Sequence, residues 1–284
     1  MNLIRVASNK VLRRLLFYVF EWIGYHVVAA NYNSPIPFSR TLTDKHFSRM
    51  SECVGVDWNV SKQEYYMREV FTAYCTEIDF QINPWITHLD AIILNSMLRF
   101  HKPHKIAEVG SGYSTKLISD AIKRNKLDGV EGELISIDPS PRIKLDEDRL
   151  TQIQMLRIPI QDVELNTIID CDLLFLDSTH LIKIGGDVTF EILEVVPRLK
   201  PGALIHWHDI LLPKEYPHKW VVMDHNFWTE QYLLQGFLLF NDSFEILWSS
   251  SYMQDRMNTF IESSDQGPIT GIPGGSSFWI RKIK

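Results

Sequence analysis

Ile106-Ala-Glu-Val-Gly-Ser-Gly-Tyr-Ser-Thr115 is the stretch that decides the fold of this chain. Its first residues form a short, mostly apolar run that is typical of a buried parallel strand. Gly110 and Gly112 follow, and glycine allows a tight turn in which the backbone approaches a ligand. The Ser-Thr pair that ends the stretch is suited to cap a helix, which we predict over residues 116–122. The stretch therefore predicts a strand, a glycine turn and a helix whose first N–H groups face a ligand.

A second apolar run, Leu134-Ile-Ser-Ile-Asp138, ends in a carboxylate. At the carboxyl end of a neighbouring parallel strand, Asp138 is placed to accept hydrogen bonds from ribose hydroxyls. The turn is not a complete dinucleotide fingerprint, because position 115, where a third glycine belongs, is Thr. The glycine turn therefore predicts a nucleotide-containing ligand without deciding which one.

Later segments repeat the alternation of strand and helix. Leu173–Asp177 is an apolar run that ends in an acid, and the spacing of apolar residues predicts a helix over 187–199. We predict further elements as follows: strands at 153–158, 203–208, 244–248 and 277–283, and a helix at 226–240. The pattern predicts an α/β fold, a doubly wound, mostly parallel seven-stranded sheet with helices on both faces, preceded by a helical N-terminal extension.

Taken together, these segments resemble a class I S-adenosylmethionine-dependent methyltransferase. Glu108-x-Gly110-x-Gly112 resembles the first motif of that family, Asp138 its second and Asp177 its fourth. The resemblance covers roughly residues 85–284. The upstream part is similar to bacterial methyltransferases found with glycan biosynthesis genes, which have segments like Ser34-Pro-Ile-Pro37, Asp177-Ser-Thr-His180 and His208-Asp209.

The resemblance implies S-adenosyl-L-methionine as the cofactor and a set of residues that bind it. The implied cofactor-binding residues are Glu108, Gly110, Ser111, Gly112, Asp138, Gln161, Asp162 and Asp177. Glu108 and the glycines are expected near the methionine and ribose, and Gln161 and Asp162 near the adenine. For Gln161 and Asp162, a solvated loop is an equally good reading.

Polar residues at the ends of two predicted strands form the expected catalytic cluster: His180, His208 and Asp209. Two alternatives are open for its chemistry. A divalent metal held by Asp177, Asp209 and His208 would orient a substrate hydroxyl and lower its pKa. Without a metal, His180 or His208 would accept the hydroxyl proton. His206 shares a face with His208 but is expected to be a packing residue.

The acceptor expected from the resemblance is a hydroxyl of a sugar or glycan precursor, and a small phenolic or polyketide hydroxyl stays open. Aromatic residues that offer a stacking platform for it are Trp207, Tyr216, Trp220, Phe227, Trp228 and Tyr232. Two other classes of function compete: an NAD-dependent oxidoreductase on the same kind of sheet, and a non-catalytic scaffold that retains the fold.

Composition narrows the partners and the compartment. The chain has 284 residues, of which 45% are hydrophobic and 23% charged, so it can form a core of useful size. A net charge of −6 argues against nucleic acid as a partner. The three widely spaced cysteines indicate a reducing, cytoplasmic environment and show no metal-binding pairing.

The first thirty residues combine basic side chains with an apolar run, Leu15-Leu-Phe-Tyr-Val-Phe20. The run is shorter than the ~20 apolar residues of a spanning helix. Residues 1–26 are therefore expected to lie on the inner membrane surface, to pack on a partner chain, or to dock on the protein's own core. The domain organisation we predict is an amphipathic segment at 1–30, a mainly helical extension and cap at 31–103, and a cofactor-binding methyltransferase domain at 104–284.

Overall fold

The computed structural model describes residues 10–78, 85–142, 153–263 and 274–284. The chain divides into two compact units. One contains residues 1–48 and 217–227, and the other contains residues 49–216 and 228–284. The predicted boundaries at 30/31 and 103/104 stay a prediction, but the helices between residues 60 and 101 belong to the same unit as the sheet.

The larger unit is built on a seven-stranded sheet. Its strands are β1 (Lys105–Val109), β2 (Glu133–Ile137), β3 (Ile153–Leu156), β4 (Leu173–Leu176), β5 (Leu204–Trp207), β6 (Phe244–Ser249) and β7 (Phe278–Lys282). They lie in the order β3-β2-β1-β4-β5-β7-β6. Strand β7 runs antiparallel to β5 and β6, and the remaining neighbouring strands are parallel to each other. The predicted doubly wound, mostly parallel seven-stranded sheet is confirmed.

Helices occur in both units. They are α1 (Lys10–Trp22), α2 (Asp44–Phe47), α3 (Val60–Tyr65), α4 (His88–His101), α5 (Tyr113–Leu127), α6 (Asp187–Phe190), α7 (Glu230–Leu238) and α8 (Ser250–Ser263). The helix of α3 continues through a π-helical turn, Tyr66–Phe71, and α6 continues into a second one, Glu191–Val195.

Both faces of the central strands are apolar, which is why each face is covered by helices. On one face Ile106 and Phe175 pack with residues of α4 and α5, including Ile93 and Ile118. On the opposite face, strand residues pack with α7 and with the helical segment that begins at α6. Alternate residues of one strand thus enter two separate hydrophobic clusters.

The position of the ligand-binding crevice follows from the strand order. From β1 the chain continues outward through β2 and β3, and on the other side of β1 it continues from β4 to β5. The connections therefore diverge between β1 and β4, and ligands of such sheets bind beyond the carboxyl ends of the strands at this point. Residues that directly follow β1, β2, β4 and β5 border this crevice.

Several predicted elements have different boundaries. Helix α5 begins at Tyr113, three residues before the predicted start at 116, because its N-cap residue is Gly112. Helix α7 is confined to Glu230–Leu238, since the N–H groups of Thr229 and Glu230 donate to the carbonyl of His180 instead of continuing a helix upstream. Helix α8 has no counterpart among the predicted elements.

The smaller unit contains α1, α2 and a π-helical turn, Lys219–Met223. Within it, the rings of Phe47 and His218 meet edge to face with their centroids 5.0 Å apart. Among all described residues, none belongs to a helix with the length and apolar character needed to cross a membrane.

Candidate active site

The glycine turn after β1 lies against the end of β4. Gly110 has a φ of +85°, a left-handed conformation that side chains rarely adopt. A Cβ at this residue would stand 1.9 Å from the carbonyl oxygen of Asp177. The Gly110 N–H donates to the carbonyl of Ile137 at 2.9 Å, which ties the turn to β2. Glycine is therefore required at 110 for two reasons, its backbone conformation and the space available.

Asp138 holds the tip of the same turn. Its Oδ2 accepts hydrogen bonds from the backbone N–H of Ser111 at 2.9 Å and from the Ser111 hydroxyl at 2.6 Å. Its Oδ1 accepts from the N–H of Ser140 at 2.7 Å. The N–H of Gly112 donates to the Thr115 hydroxyl at 2.9 Å. The implied cofactor residues Gly110, Ser111, Gly112 and Asp138 are thus brought together.

Glu108 lies beneath the turn and is fully buried. Its carboxylate accepts hydrogen bonds from the hydroxyls of Ser114, Thr115 and Ser136 at 2.7–2.8 Å. Burial raises the pKa of Glu108 to about 7, against the opposing effect of these hydroxyls. This places Glu108 as a support for the glycine turn and the start of α5, and Ser114 contributes to that support rather than capping the helix.

Gln161 and Asp162 lie in a short 3₁₀ helix after β3, Ile160–Asp162. The Gln161 amide donates to the carbonyl of Gly185 at 2.8 Å, and its Oε1 is buried without a hydrogen-bond partner among the described residues. The side chain of Asp162 is exposed. Of these two implied residues, Gln161 has the buried, unsatisfied acceptor, whereas Asp162 faces solvent.

His180 lies between three carboxylates in the loop after β4. Its Nδ1 is 2.7 Å from Glu230 Oε2, and its Nε2 is 3.2 Å from Asp177 Oδ1 and 3.7 Å from Asp209 Oδ2. The side chain is buried, and its backbone has a φ of +58°. A left-handed conformation is unusual for residues other than glycine and is often found at functional sites. Asp209 has the same kind of backbone, with a φ of +57°.

His208 is buried on the other side of Asp209. Its Nδ1 lies 3.3 Å from Asp209 Oδ1, and its Nε2 lies 3.8 Å from Asp90 Oδ2. Asp90 also accepts hydrogen bonds from the backbone N–H groups of Ser276 and Ser277. The Ser276 hydroxyl in turn donates to Asp209 Oδ1 at 3.0 Å. Asp90 therefore holds the segment before β7 against the end of β5.

The carboxylates dominate the electrostatics of this cluster. Burial by itself lowers the pKa of both histidines, but their carboxylate neighbours outweigh it. Hydrogen bonds that the imidazole donates to the carboxylates of Asp177 and Glu230 raise the pKa of His180 well above its ordinary value. The charges of Asp209 and Asp177 raise the pKa of His208 to about 10. Burial opposes ionisation of Asp209, but the charge of His208 lowers the pKa of Asp209 to about 2.

The side chains that converge as a possible metal site differ from the predicted set. Asp177, His180 and Asp209 each offer a ligand atom, and the three atoms lie within 4.8 Å of one another. The predicted set had His208 in place of His180. His208 points between Asp209 and Asp90, and its Nδ1 is 4.0 Å from Asp177 Oδ1. The ring of His180 lies against both aspartates instead, with Nε2 3.2 Å from Asp177 Oδ1 and 3.7 Å from Asp209 Oδ2.

His206 is a packing residue, as its place in the strand indicated. Its ring stacks on Phe175 with centroids 4.3 Å apart, and its Nε2 lies 3.1 Å from the Ser277 hydroxyl. Burial, with a further contribution from the charge of His208, holds the pKa of His206 well below its ordinary value. This residue is therefore neutral at physiological pH.

The expected aromatic platform is only partly assembled at this site. Trp228 lies beside His180, with ring centroids 4.5 Å apart, and Tyr216 meets Trp228 edge to face. Tyr232 lies next to Tyr216. Trp207 is fully buried in the sheet and unavailable to an acceptor. The remaining two, Trp220 and Phe227, belong to the smaller unit.

Residues important to the site were missed from the sequence: Asp90, Glu230 and Ser276. Asp90 stands three residues after Thr87, whose hydroxyl accepts from the Asp90 N–H, so its pattern is that of a local helix cap. Glu230 stands in the first turn of a helix, where acidic residues are common. A local helix-start pattern accounts for the presence of both residues in the sequence. Nothing in that pattern indicates the distant residues that they contact.

Comparison with known families identifies the sheet domain. Residues 107–210, which begin within β1 and extend past the end of β5, match the family model described as a methyltransferase domain. This stretch of the chain is therefore similar to methyltransferase domains. The match agrees with the expected methyltransferase, and the seven-stranded sheet described above confirms the expected fold class.

Individual relatives of this domain are distant. An uncharacterised protein of Archaeoglobus fulgidus is 25% identical over 129 residues, which are 41% of this chain and 58% of that protein. An SAH-bound methyltransferase of Podospora anserina is 12% identical, with 80% of this chain and 94% of that chain covered, at a TM-score of 0.43. A putative caffeoyl-CoA O-methyltransferase from Staphylococcus aureus is 13% identical, with 79% and 97% covered, at a TM-score of 0.33.

Gly110→Ala tests the contact between the ends of β1 and β4. We expect it to lower the free energy of unfolding by about 3–5 kcal/mol, because it combines a left-handed alanine with a backbone clash. Gly112→Ala is the matched control: its φ lies in the extended range and nothing is within 4 Å of its added Cβ. Urea denaturation of both variants measures the difference, and equal stabilities would refute the contact.

Proposed function

We propose that the protein transfers a methyl group from S-adenosylmethionine to a hydroxyl oxygen of a sugar or glycan precursor. The observation that carries the proposal is the position of the glycine turn directly beside Asp177. Asp177 also belongs to the cluster of His180 and Asp209. A methyl donor held on the turn therefore lies next to groups that orient and deprotonate an acceptor.

The residues around the turn suit this cofactor. Asp138 Oδ1 accepts one hydrogen bond in this structure, so it keeps a lone pair for a ribose hydroxyl. The buried, unpartnered Oε1 of Gln161 matches the amino group of an adenine. Gly110, Ser111 and Gly112 leave backbone space beside the ligand, and Glu108 supports them from below. Asp162 has no comparable feature and stays the weakest of the implied contacts.

The reaction is an in-line displacement. The acceptor oxygen attacks the methyl carbon, the carbon–sulfur bond breaks, and its electron pair goes to sulfur, which becomes the thioether of S-adenosylhomocysteine. The hydroxyl proton of the acceptor passes to the cluster of Asp177, His180 and Asp209. Two carboxylates and an imidazole are suited to receive and hold that proton. His208 stabilises the ionised form of Asp209.

We include a divalent metal ion in the proposal. Two carboxylate oxygens and one imidazole nitrogen converge here, a mixed donor set that suits manganese, iron or zinc more than magnesium. When bound, such an ion lowers the pKa of an acceptor hydroxyl and orients it. Asp177, His180 and Asp209 would hold it, with His208 behind Asp209.

The sugar acceptor is supported by the aromatic residues next to the cluster. The ring of Trp228 is 4.5 Å from that of His180, centroid to centroid, and Tyr216 packs against its edge. Aromatic side chains with one polar tip, as in Trp and Tyr, present an apolar face on which a pyranose ring can stack. A phenolic acceptor would use the same aromatic face. An activity assay that identifies the acceptor therefore has to offer both sugars and phenols.

We also propose that α1 attaches the protein to the inner, anionic surface of the cytoplasmic membrane. Lys10, Arg13 and Arg14 share one side of the helix with Glu21, while Leu15 and Trp22 lie on the opposite, apolar side. Basic side chains opposite an apolar, tryptophan-containing face are typical of helices that lie in a membrane interface. The three free, buried cysteines support a reducing compartment.

Titration calorimetry with S-adenosylhomocysteine and, separately, with NAD tests the cofactor. We expect micromolar affinity for the homocysteine compound and none for NAD. Asp138→Ala should weaken binding by about 1–3 kcal/mol, because it removes a ribose acceptor and the anchor of Ser111. Asp170→Ala is the control, since this exposed aspartate precedes β4 at the opposite edge of the sheet. Binding of NAD alone would favour an oxidoreductase, and binding of neither compound would favour a scaffold.

Asp209→Asn tests the metal site. In the presence of S-adenosylhomocysteine, we expect it to reduce the Mn²⁺ affinity at least about tenfold, because a charged ligand is lost. The affinity for S-adenosylhomocysteine itself should stay nearly unchanged. Asp172→Asn, beneath the amino end of β4, should keep the wild-type Mn²⁺ affinity. Equal affinities in wild type and Asp209→Asn would remove Asp209 from the ligands, and a wild type without Mn²⁺ binding would favour the histidine base.

Sedimentation with lipid vesicles tests the membrane proposal. The protein should bind vesicles of phosphatidylglycerol and phosphatidylcholine in equal parts, and bind pure phosphatidylcholine weakly. Reversing Arg13 and Arg14 to Glu should reduce binding at least about tenfold, since each basic residue near an anionic surface contributes about 1 kcal/mol. The same reversal at Lys45 and Lys219 changes the net charge equally and should leave binding intact. Vesicle binding that ignores the Arg13 and Arg14 reversal would contradict the proposal.

A further inference from the structure

Glu230 is a buried carboxylate to which the proposed reaction assigns no role. It is the first residue of α7, and only 1% of the residue is exposed. Its Oε2 lies 2.7 Å from Nδ1 of His180, while its Oε1 has no hydrogen-bond partner among the described residues. Burying an ionisable group in this way is unfavourable unless a partner compensates for the lost hydration. The imidazole of His180 is that partner.

The loop that carries His180 does not depend on this side-chain bond for its position. The carbonyl of His180 accepts from the N–H groups of Thr229 and Glu230 at 2.9 and 3.2 Å. The N–H of Ile182 donates to the Thr229 hydroxyl at 2.8 Å. Three hydrogen bonds donated by backbone N–H groups therefore already join the loop to the start of α7. What the Glu230 carboxylate adds is control of the imidazole ring itself.

The two nitrogens of the His180 ring face different surroundings. Nδ1 faces Glu230, whereas Nε2 faces Asp177 and Asp209. A carboxylate only accepts hydrogen bonds, so Nδ1 next to Glu230 carries a proton. Nε2 also faces carboxylates and is protonated as long as no metal is bound, so the Nε2 proton is the one that a metal ion would replace or that can exchange with an acceptor. A carboxylate behind a histidine ligand is known to set the tautomer and ring orientation in this way.

We propose that Glu230 is the positioning residue of His180: it holds the Nδ1 proton and thereby directs Nε2 at Asp177 and Asp209. The proposal rests on the proposed function, and it applies to His180 both as a metal ligand and as a base. It also explains why a carboxylate, which is rarely buried without a partner, lies buried in the first turn of α7.

Glu191 provides a matched control. It is also fully buried, and its Oε2 accepts from the Ser178 hydroxyl at 3.1 Å, in the same loop as His180. The structure shows no hydrogen bond between Glu191 and the imidazole of His180. The same substitution at residues 191 and 230 therefore removes the same kind of buried carboxylate, but only one of them removes the acceptor of the Nδ1 proton.

The test is the ¹⁵N–¹H spectrum of histidine-labelled protein, with His180→Gln used to assign the signals. In wild type, the Nδ1 proton of His180 should give a downfield signal that exchanges slowly, because its hydrogen bond is buried. Glu230→Leu should abolish that signal and lower the Mn²⁺ affinity about 10–100-fold, while the affinity for S-adenosylhomocysteine stays unchanged. Glu191→Leu should retain the signal.

Glu230→Gln keeps the inference testable if Glu230→Leu does not fold. An amide oxygen still accepts the Nδ1 proton but less strongly than a carboxylate, so the signal should persist and move upfield. A Nδ1 signal unchanged in the Glu230 variants would overturn the proposal. The spectrum needs neither cofactor nor acceptor, so a wild type that fails to bind S-adenosylhomocysteine would contradict the proposed function while the spectrum still decides the role of Glu230.

Discussion

The close approach of the Gly110 backbone to the carbonyl of Asp177 is the constraint on which the rest of the site depends. Strands β1 and β4 are neighbours, and the chain leaves them toward opposite edges of the sheet, which opens a crevice between their ends. Because residue 110 has no side chain, the turn lies flat against the end of β4. Asp138 then holds the turn from one side, and the Asp177 carboxylate faces His180 on the other.

Buried polar groups support this arrangement in two layers. Beneath the turn, Glu108 is surrounded by three hydroxyl donors, so its carboxylate is satisfied without a charged partner. Beside the turn, His180 lies between the carboxylates of Asp177 and Glu230. Burying so many ionisable groups is unfavourable for stability, and fully apolar packing would be an easier way to fill the same space. Their concentration at one edge of the sheet is what a site for charge and proton transfer requires.

The fold was predictable where the signals are local, and the errors have local causes. Strands were recognised because apolar runs ending in acids are short and contiguous. Helix α8, Ser250–Ser263, begins with serines and has few apolar residues, so it has no clear helical pattern. The predicted helix over 226–240 was too long, because Thr229 bonds to His180, which lies 49 residues earlier in the chain. Asp90 was overlooked because its pairing with Thr87 matches a helix cap.

The sequence by itself determined which runs of the chain form buried strands, and which of those strands are followed by Asp138, Asp177 or His208-Asp209. Only the tertiary structure decided which of those side chains meet. His180, from a loop after β4, converges with Asp177 and Asp209, while His208 lies between Asp209 and Asp90. Glu230 reaches the same ring from a helix 50 residues away. Local patterns report burial and strand ends, whereas contacts between distant loops depend on backbone conformations that no short motif specifies.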